Sequence, residues 1–166
     1  MLHSNNETVR SLLLKGNFGL EKESLRITKD GNFALTLHPF PDNPNIVYDF
    51  CENQTEINTD VAPSAEEAQK LLAFHTRQIH QKLASLDEPE YMWPFSNPPF
   101  IPNEHDIPIA HHNIKAEYSE GYREYLANRY GRYMMSLSGI HVNYSFSDEL
   151  LRADPALHHR PDQCGD

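Results

Sequence analysis

Between Ser64 and Leu86 the chain has little choice but to form one long amphipathic helix, and that helix dictates what must lie beside it. Ser64 is placed to accept from the backbone N–H of Glu67, and the Glu67 side chain to reach back, the reciprocal arrangement that starts helices. Ala68, Leu71, Leu72, His75, Ile79, Leu83 and Leu86 then recur at spacings of three and four and share one face. Gln69, Lys70, Arg77, Gln81 and Lys82 fall mostly elsewhere. Such a stripe needs a broad apolar surface to pack on, most simply a sheet.

Strands for that sheet lie on both sides of the helix. Residues 1–16 read as a short helical lead with Val9, Leu12 and Leu13 at helical spacing and Gly16 as its stop. Residues 17–28 read as a strand, and the tight-turn dipeptide Asp30-Gly31 predicts a hairpin returning over Asn32–Thr36. A proline-bearing loop (38–45) leads to an apolar strand from Ile46 to Phe50 that runs on to Ile57. After the helix, six prolines between residues 88 and 109 forbid helix interior, and the aromatics among them predict an ordered, packed loop. Glu117–Tyr133 reads as a second helix with Tyr122, Tyr125, Leu126 and Tyr130 facing inward. Met134–Phe146 reads as strand, with Ile140, Val142, Tyr144 and Phe146 on one face and His141, Asn143 and Ser145 on the other. A helix can open at Ser147–Leu151, and the apolar pattern stops after about Asp154. Half-polar strands favour an antiparallel or mixed sheet with helices on one face, an α+β fold of one domain.

Composition narrows the function classes. The net charge is −10, and the fourteen Lys and Arg are scattered, which disfavours nucleic acid as a partner. No apolar run is long enough to span a bilayer, and no signal peptide is visible. Cys51 and Cys164 do not make a disulfide framework, so the expectation is a cytoplasmic protein with reduced thiols. The pairs His111-His112 and His158-His159 read as solvated loop residues. No GxxxxGK[ST], GxGxxG, CxxC or HExxH occurs, and Cys51 has no evident general base beside it, so nucleotide-loop, dinucleotide, zinc-ribbon and zincin chemistry are unsupported.

The chemistry-bearing residues are acids. Glu21 and Glu23 are two apart on a strand, so they share a face with Cα atoms about 7 Å apart. Two carboxylates that close repel unless solvated or met by positive charge, which a divalent cation supplies. An exposed edge-strand face is the alternative. Asp49, between Tyr48 and Phe50, is set for partial burial, and Glu56 follows it in the same segment. In one continuous strand these two point to opposite faces, so a shared site requires a bulge between them, or else Glu56 serves alone. His141 lines the polar face of its strand, as a metal ligand or as a hydrogen-bonded structural residue. Arg123 is a candidate clamp for carboxylate or phosphate, or half of a surface pair with Glu124.

Six stretches, GNFGLEKESLRI, DFCENQTEINT, WPFSNPP, DIPIA, YREYLANRYG and SLSGIHVNYSF, resemble in order and spacing the N-terminal part of the bacterial glutamate–cysteine ligases, over roughly residues 14–152. The nearer likeness is to the ligase half of the bifunctional glutathione synthesis proteins. The resemblance implies a strongly curved antiparallel sheet like that of glutamine synthetase. It implies ATP-dependent joining of the glutamate γ-carboxylate to the cysteine amine, with Mg²⁺ or Mn²⁺ and with glutamate, cysteine and ATP as small-molecule partners. Glu21, Glu23, Asp49, Glu56 and His141 match the family's metal-site positions, and Tyr122 and Arg123 match a pair near the substrate; no catalytic residue is assigned. Cys51 and Asn53 stand where serines are more usual. The expectation is that residues 1–152 form the N-terminal part of a ligase catalytic domain that lacks its C-terminal remainder. Residues 153–166 are expected to be an aberrant tail, and the chain to be inactive alone. The alternatives are a non-catalytic remnant that at most binds a divalent metal, and a ligase of the same fold with another amine acceptor.

Overall fold

A computed structural model describes residues 2–110 and 117–154, with the side chains of 117–120 left aside. Five strands and five α-helices follow one another as α1 (Glu7–Leu12), β1 (Gly16–Ile27), β2 (Ile46–Tyr48), β3 (Gln54–Asn58), α2 (Ala65–Ala84), β4 (Tyr91–Met92), α3 (Glu117–Tyr130), α4 (Arg132–Met135), β5 (Ile140–Phe146) and α5 (Asp148–Ala153). A single 3-10 turn at Glu104–Asp106 interrupts the proline-rich segment.

β1 organises the sheet. Its twelve residues pair antiparallel with β3 along one edge, and with β5 and then β4 along the other. β2 extends the sheet beyond β3, again antiparallel. The α+β class with an antiparallel sheet is therefore what the chain forms. The helices divide between its two faces. α2 covers one face, where Ile79 and Leu83 pack with Ile46 and Ile57 of the sheet. Among the described residues, the other face is covered mainly at its far end, where Leu25 joins Phe50, Cys51, Ile101, Ile107 and Ile109, with Leu126 and Ala127 of α3 against them. Trp93 packs on this same cluster, and its backbone N–H donates to Leu25 O at 2.8 Å. The proline-rich segment is thus an ordered cover. A third, smaller cluster of Val9, Leu12 and Leu150 joins α1 to α5.

The long helix starts as its sequence dictates: Ser64 Oγ accepts from Glu67 N at 3.2 Å. Glu67 turns instead to Lys70, 2.8 Å away. Ala68, His75, Ile79 and Leu83 are its buried residues.

Four local expectations need correction. The Asp30-Gly31 turn forms, with Gly31 at φ +80°, and Thr28 N donates to Asn32 O at 2.8 Å. The returning strand does not; it makes one bridge, Phe33 to Ile27, because β3 already holds that edge of β1 from Leu25 back. Residues 46–57 are not one strand but a hairpin, with Ile46 opposite Ile57 and Tyr48 opposite Thr55. Tyr122, Tyr125 and Tyr130 are more than half exposed, and Leu126 alone of the four turns inward. The last strand begins at Ile140 rather than Met134, because Gly131 at φ +82° ends α3 and restarts the chain as the short α4. The two histidine pairs, Cys164 and the tail from residue 155 lie outside the described residues.

Candidate functional site

The other half of the second face carries the acids. Residues directly opposite in an antiparallel pair project to the same side. Glu23 lies opposite Glu56 of β3, and Glu21 lies opposite His141 of β5. Period 2 along β1 places Glu21 and Glu23 together, so side chains from three strands share one patch.

Asp49 joins them for a reason that a linear reading inverts. In a continuous strand an odd separation from Glu56 sends the two apart. The hairpin instead sets Val47 opposite Glu56, and Asp49 N donates to Gln54 O at 3.1 Å, which continues the register. Asp49 therefore stands on the Glu56 side with no bulge between them. The turn itself is closed by Gln54 N donating to Cys51 O at 2.9 Å. Asn53 Nδ2 pins it to β1 at Arg26 O, 3.1 Å away.

The patch is electrostatically tense. Burial, then Asp49, Glu23 and Glu21, push the Glu56 carboxyl up to about 7. Burial and Glu23 raise Asp49 as well, with Arg123 and His141 opposing. Glu23 is only 12 % exposed; its Oε1 lies 3.4 Å from His141 Nε2 and its Oε2 accepts from Gly139 N at 2.9 Å. Glu21 Oε1 accepts from Asn143 Nδ2 at 2.8 Å. Among the described residues, no three His, Cys, Asp or Glu side chains close on a single point in the manner of a formed metal cage. The donor types and their mutual repulsion nevertheless fit a hard divalent cation, which carboxylate oxygens prefer.

Arg123 reaches the edge of this patch from α3. Its guanidinium sits 5.5 Å from the centroid of the Tyr48 ring, and Nη1 donates to Ala110 O at 3.3 Å. It is thus not a surface partner of its sequence neighbour. Tyr122, beside it in sequence, is 59 % exposed. Tyr48 was not singled out by the sequence; an aromatic next to Asp49 was the only signal. Asn143 was legible only as a polar residue on the His141 face. Cys51 is fully buried with its thiol pushed well up by burial, which removes it from nucleophilic chemistry.

Comparison with known proteins fixes the family. The glutamate–cysteine ligase family model matches residues 2–163. The chain belongs to the glutamate–cysteine ligase family. It is 43% identical over 151 residues to the bifunctional glutathione biosynthesis protein of Listeria innocua, covering 88% of this chain and 19% of that one. It is also 43% identical over 148 residues to the glutamate–cysteine ligase of Clostridium acetobutylicum, covering 85% of this chain and 30% of that one. The crystal structure of a bifunctional glutathione synthetase from Pasteurella multocida superposes with a TM-score of 0.78 at 32% identity, over 99% of this chain and 21% of that chain. That of the Francisella tularensis glutamate–cysteine ligase, in complex with AMP, gives 0.72 at 30% identity, over 84% and 29%. This ligase-family chain therefore spans from 19% to 30% of the length of these relatives. No helix among its described residues is long and apolar enough to cross a membrane.

Proposed function

We propose that this chain supplies the acidic wall of a glutamate–cysteine ligase site, which joins the γ-carboxylate of glutamate to the amine of cysteine at the expense of ATP. The observation that carries this reading is the meeting of Glu21, Glu23, Asp49, Glu56 and His141 on one sheet face, in a chain of this family. In the reaction a γ-carboxylate oxygen attacks the terminal phosphorus of ATP and ADP leaves. The cysteine nitrogen then attacks the acyl phosphate carbon, loses a proton and expels phosphate. The Francisella relative with AMP bound supports a nucleotide co-substrate.

Glu21, Glu23, Asp49, Glu56 and His141 are the residues we assign to holding Mg²⁺ or Mn²⁺. Bound there, the ion supplies charge neutralisation for the phosphates and alignment for in-line transfer. The protein's own part is positional. β1 and β3 hold Glu23 and Glu56 in fixed register, and Arg123 presents a forked donor beside the acids to a carboxylate or phosphate of the substrates. Tyr122 stands next to it in sequence, open to solvent.

Two measurements test the reading. Calorimetry of the chain with Mn²⁺ should show binding that is lost in Glu21→Gln/Glu23→Gln; no binding by the native sequence overturns the metal assignment. A chimera carrying residues 2–154 in place of the matching segment of the Clostridium acetobutylicum ligase should release phosphate from ATP only when glutamate and cysteine are both present. A folded chimera without that activity overturns the ligase assignment. Turnover with a different amine in place of cysteine redirects the acceptor.

A further inference from the structure

β5 does more than carry His141. Its next residue on the same face, Asn143, faces Gly19 across the strand pair rather than a side chain. A Cβ at Gly19 would make only ordinary contact with the Asn143 Cβ, at 3.6 Å, and with no side chain opposite it the amide reaches diagonally toward Glu21. There Nδ2 donates to Oε1 at 2.8 Å. The other first-strand acid is held from the same strand's entrance, where Gly139 N donates to Glu23 Oε2 at 2.9 Å. A Cβ at Gly139 would lie 3.3 Å from His141 Nε2, a tight contact that the imidazole would have to shift slightly to relieve. Each acid thus has one oxygen held by a neutral donor, while the second oxygen of Glu23 faces His141 Nε2 at 3.4 Å.

The chemistry of the donor matters. A Lys or Arg at position 143 would neutralise Glu21 and compete with a cation for it. An amide orients the carboxylate while leaving its full negative charge available. Groups of this kind, one step behind the ligands, fix ligand orientation and typically carry about 10–100-fold in metal affinity.

We propose that Asn143 is a positioning residue of the acidic site, aiming the Glu21 carboxylate at a divalent cation without touching the ion itself. This rests on the metal reading of the previous section, and the test separates the two. Mn²⁺ affinity is measured by calorimetry on the native chain, Asn143→Ala, Asn143→Asp, Glu21→Gln and the double variant Asn143→Ala/Glu21→Gln, each first melted without metal to confirm folding. The expected result is about a tenfold or greater loss of affinity in Asn143→Ala, with its metal-free melting temperature unchanged. Asn143→Asp, which has no amide hydrogen to donate, should be equally weak. In the Glu21→Gln background Asn143→Ala should add less than about twofold, since a residue that acts through another loses its effect when that other is gone. Native-level affinity in Asn143→Ala overturns this inference and leaves the metal reading standing. So does tighter binding in Asn143→Asp, which would make residue 143 a direct ligand. Absence of Mn²⁺ binding by the native chain overturns both.

Discussion

Glu56 holds its proton to a pH at which most glutamates have long lost it. Burial and the neighbouring Asp49, Glu23 and Glu21 raise its carboxyl from an ordinary 4.5 to about 7. A raised carboxyl binds its proton more tightly folded than unfolded, so stability falls as the pH climbs from about 4.5 to about 7. Below that window both states are protonated, and above it both are charged. The metal-free chain should melt at progressively lower temperature across this interval, and Glu56→Gln should remove that part of the slope. A native-minus-variant difference that stays flat with pH contradicts the assignment. Arg26 and Glu90 make the second residue-level case. Both side chains are almost completely buried and 2.6 Å apart, and Arg26 Nη2 also donates to Thr36 O and Glu52 O. Glu90→Ala strands the guanidinium and should cost about 3–5 kcal/mol in urea unfolding. A cost below about 1 kcal/mol would mean that water reaches Arg26. The sequence displayed Glu21 and Glu23 as a pair because period 2 is local. It displayed Asp49 too but not the side it faces, which is set by the reversal of the chain after Phe50, and it hid the Tyr48–Arg123 contact, which joins residues far apart in the chain.

At the scale of elements, α2 was the most legible because its signals are short-range: a cap at Ser64 and an apolar stripe over the next twenty residues. Ser64→Ala should cost about 1 kcal/mol, read as a shift in the urea midpoint at constant slope. No shift would mean that Ser64 Oγ does not satisfy the Glu67 N–H. α3 misled because its hydrophobic-looking residues are tyrosines, which remain more than half exposed at 122, 125 and 130. Tyrosine carries a hydroxyl that favours water, so its spacing marks a core face poorly. The joint after α3 is set by Gly131, whose φ of +82° suits few other residues. A Cβ there would also meet Glu104 Oε1 at 2.5 Å, and that carboxylate accepts from Tyr133 N at 3.1 Å. Gly131→Ala should therefore lose about 1–3 kcal/mol, whereas an unchanged unfolding midpoint would show that the joint tolerates αR or β geometry.

The whole molecule is unevenly covered. α2 lies over the β2–β3 side of the sheet, but Ile140, Val142 and Tyr144 of β5 are 63%, 66% and 41% exposed. Alternation had correctly put these on one face; it could not show that Tyr144 packs on Phe18 and Phe146 while Ile140 and Val142 stay mostly exposed. Contiguous exposed apolar residues of this kind bind apolar dyes and promote association. Replacing Ile140 and Val142 with Thr should lower dye fluorescence and concentration-dependent scattering while leaving the melting temperature nearly unchanged. A sharp fall in melting temperature would show that the two side chains are packed after all.

What the sequence determined by itself is everything governed by spacing within a few residues: the capped helix, the paired glutamates of β1, the Asp30-Gly31 turn, the alternation of β5 and, through six ordered motifs, the family. The tertiary structure decided which strand edge each segment won, and hence where side chains from different strands meet. β3 displaced the expected hairpin from β1, the β2–β3 reversal swung Asp49 beside Glu56, and β5 set His141 and Asn143 against Glu21. Those outcomes depend on competition among distant segments for the same backbone donors and acceptors. No window of neighbouring residues contains that competition.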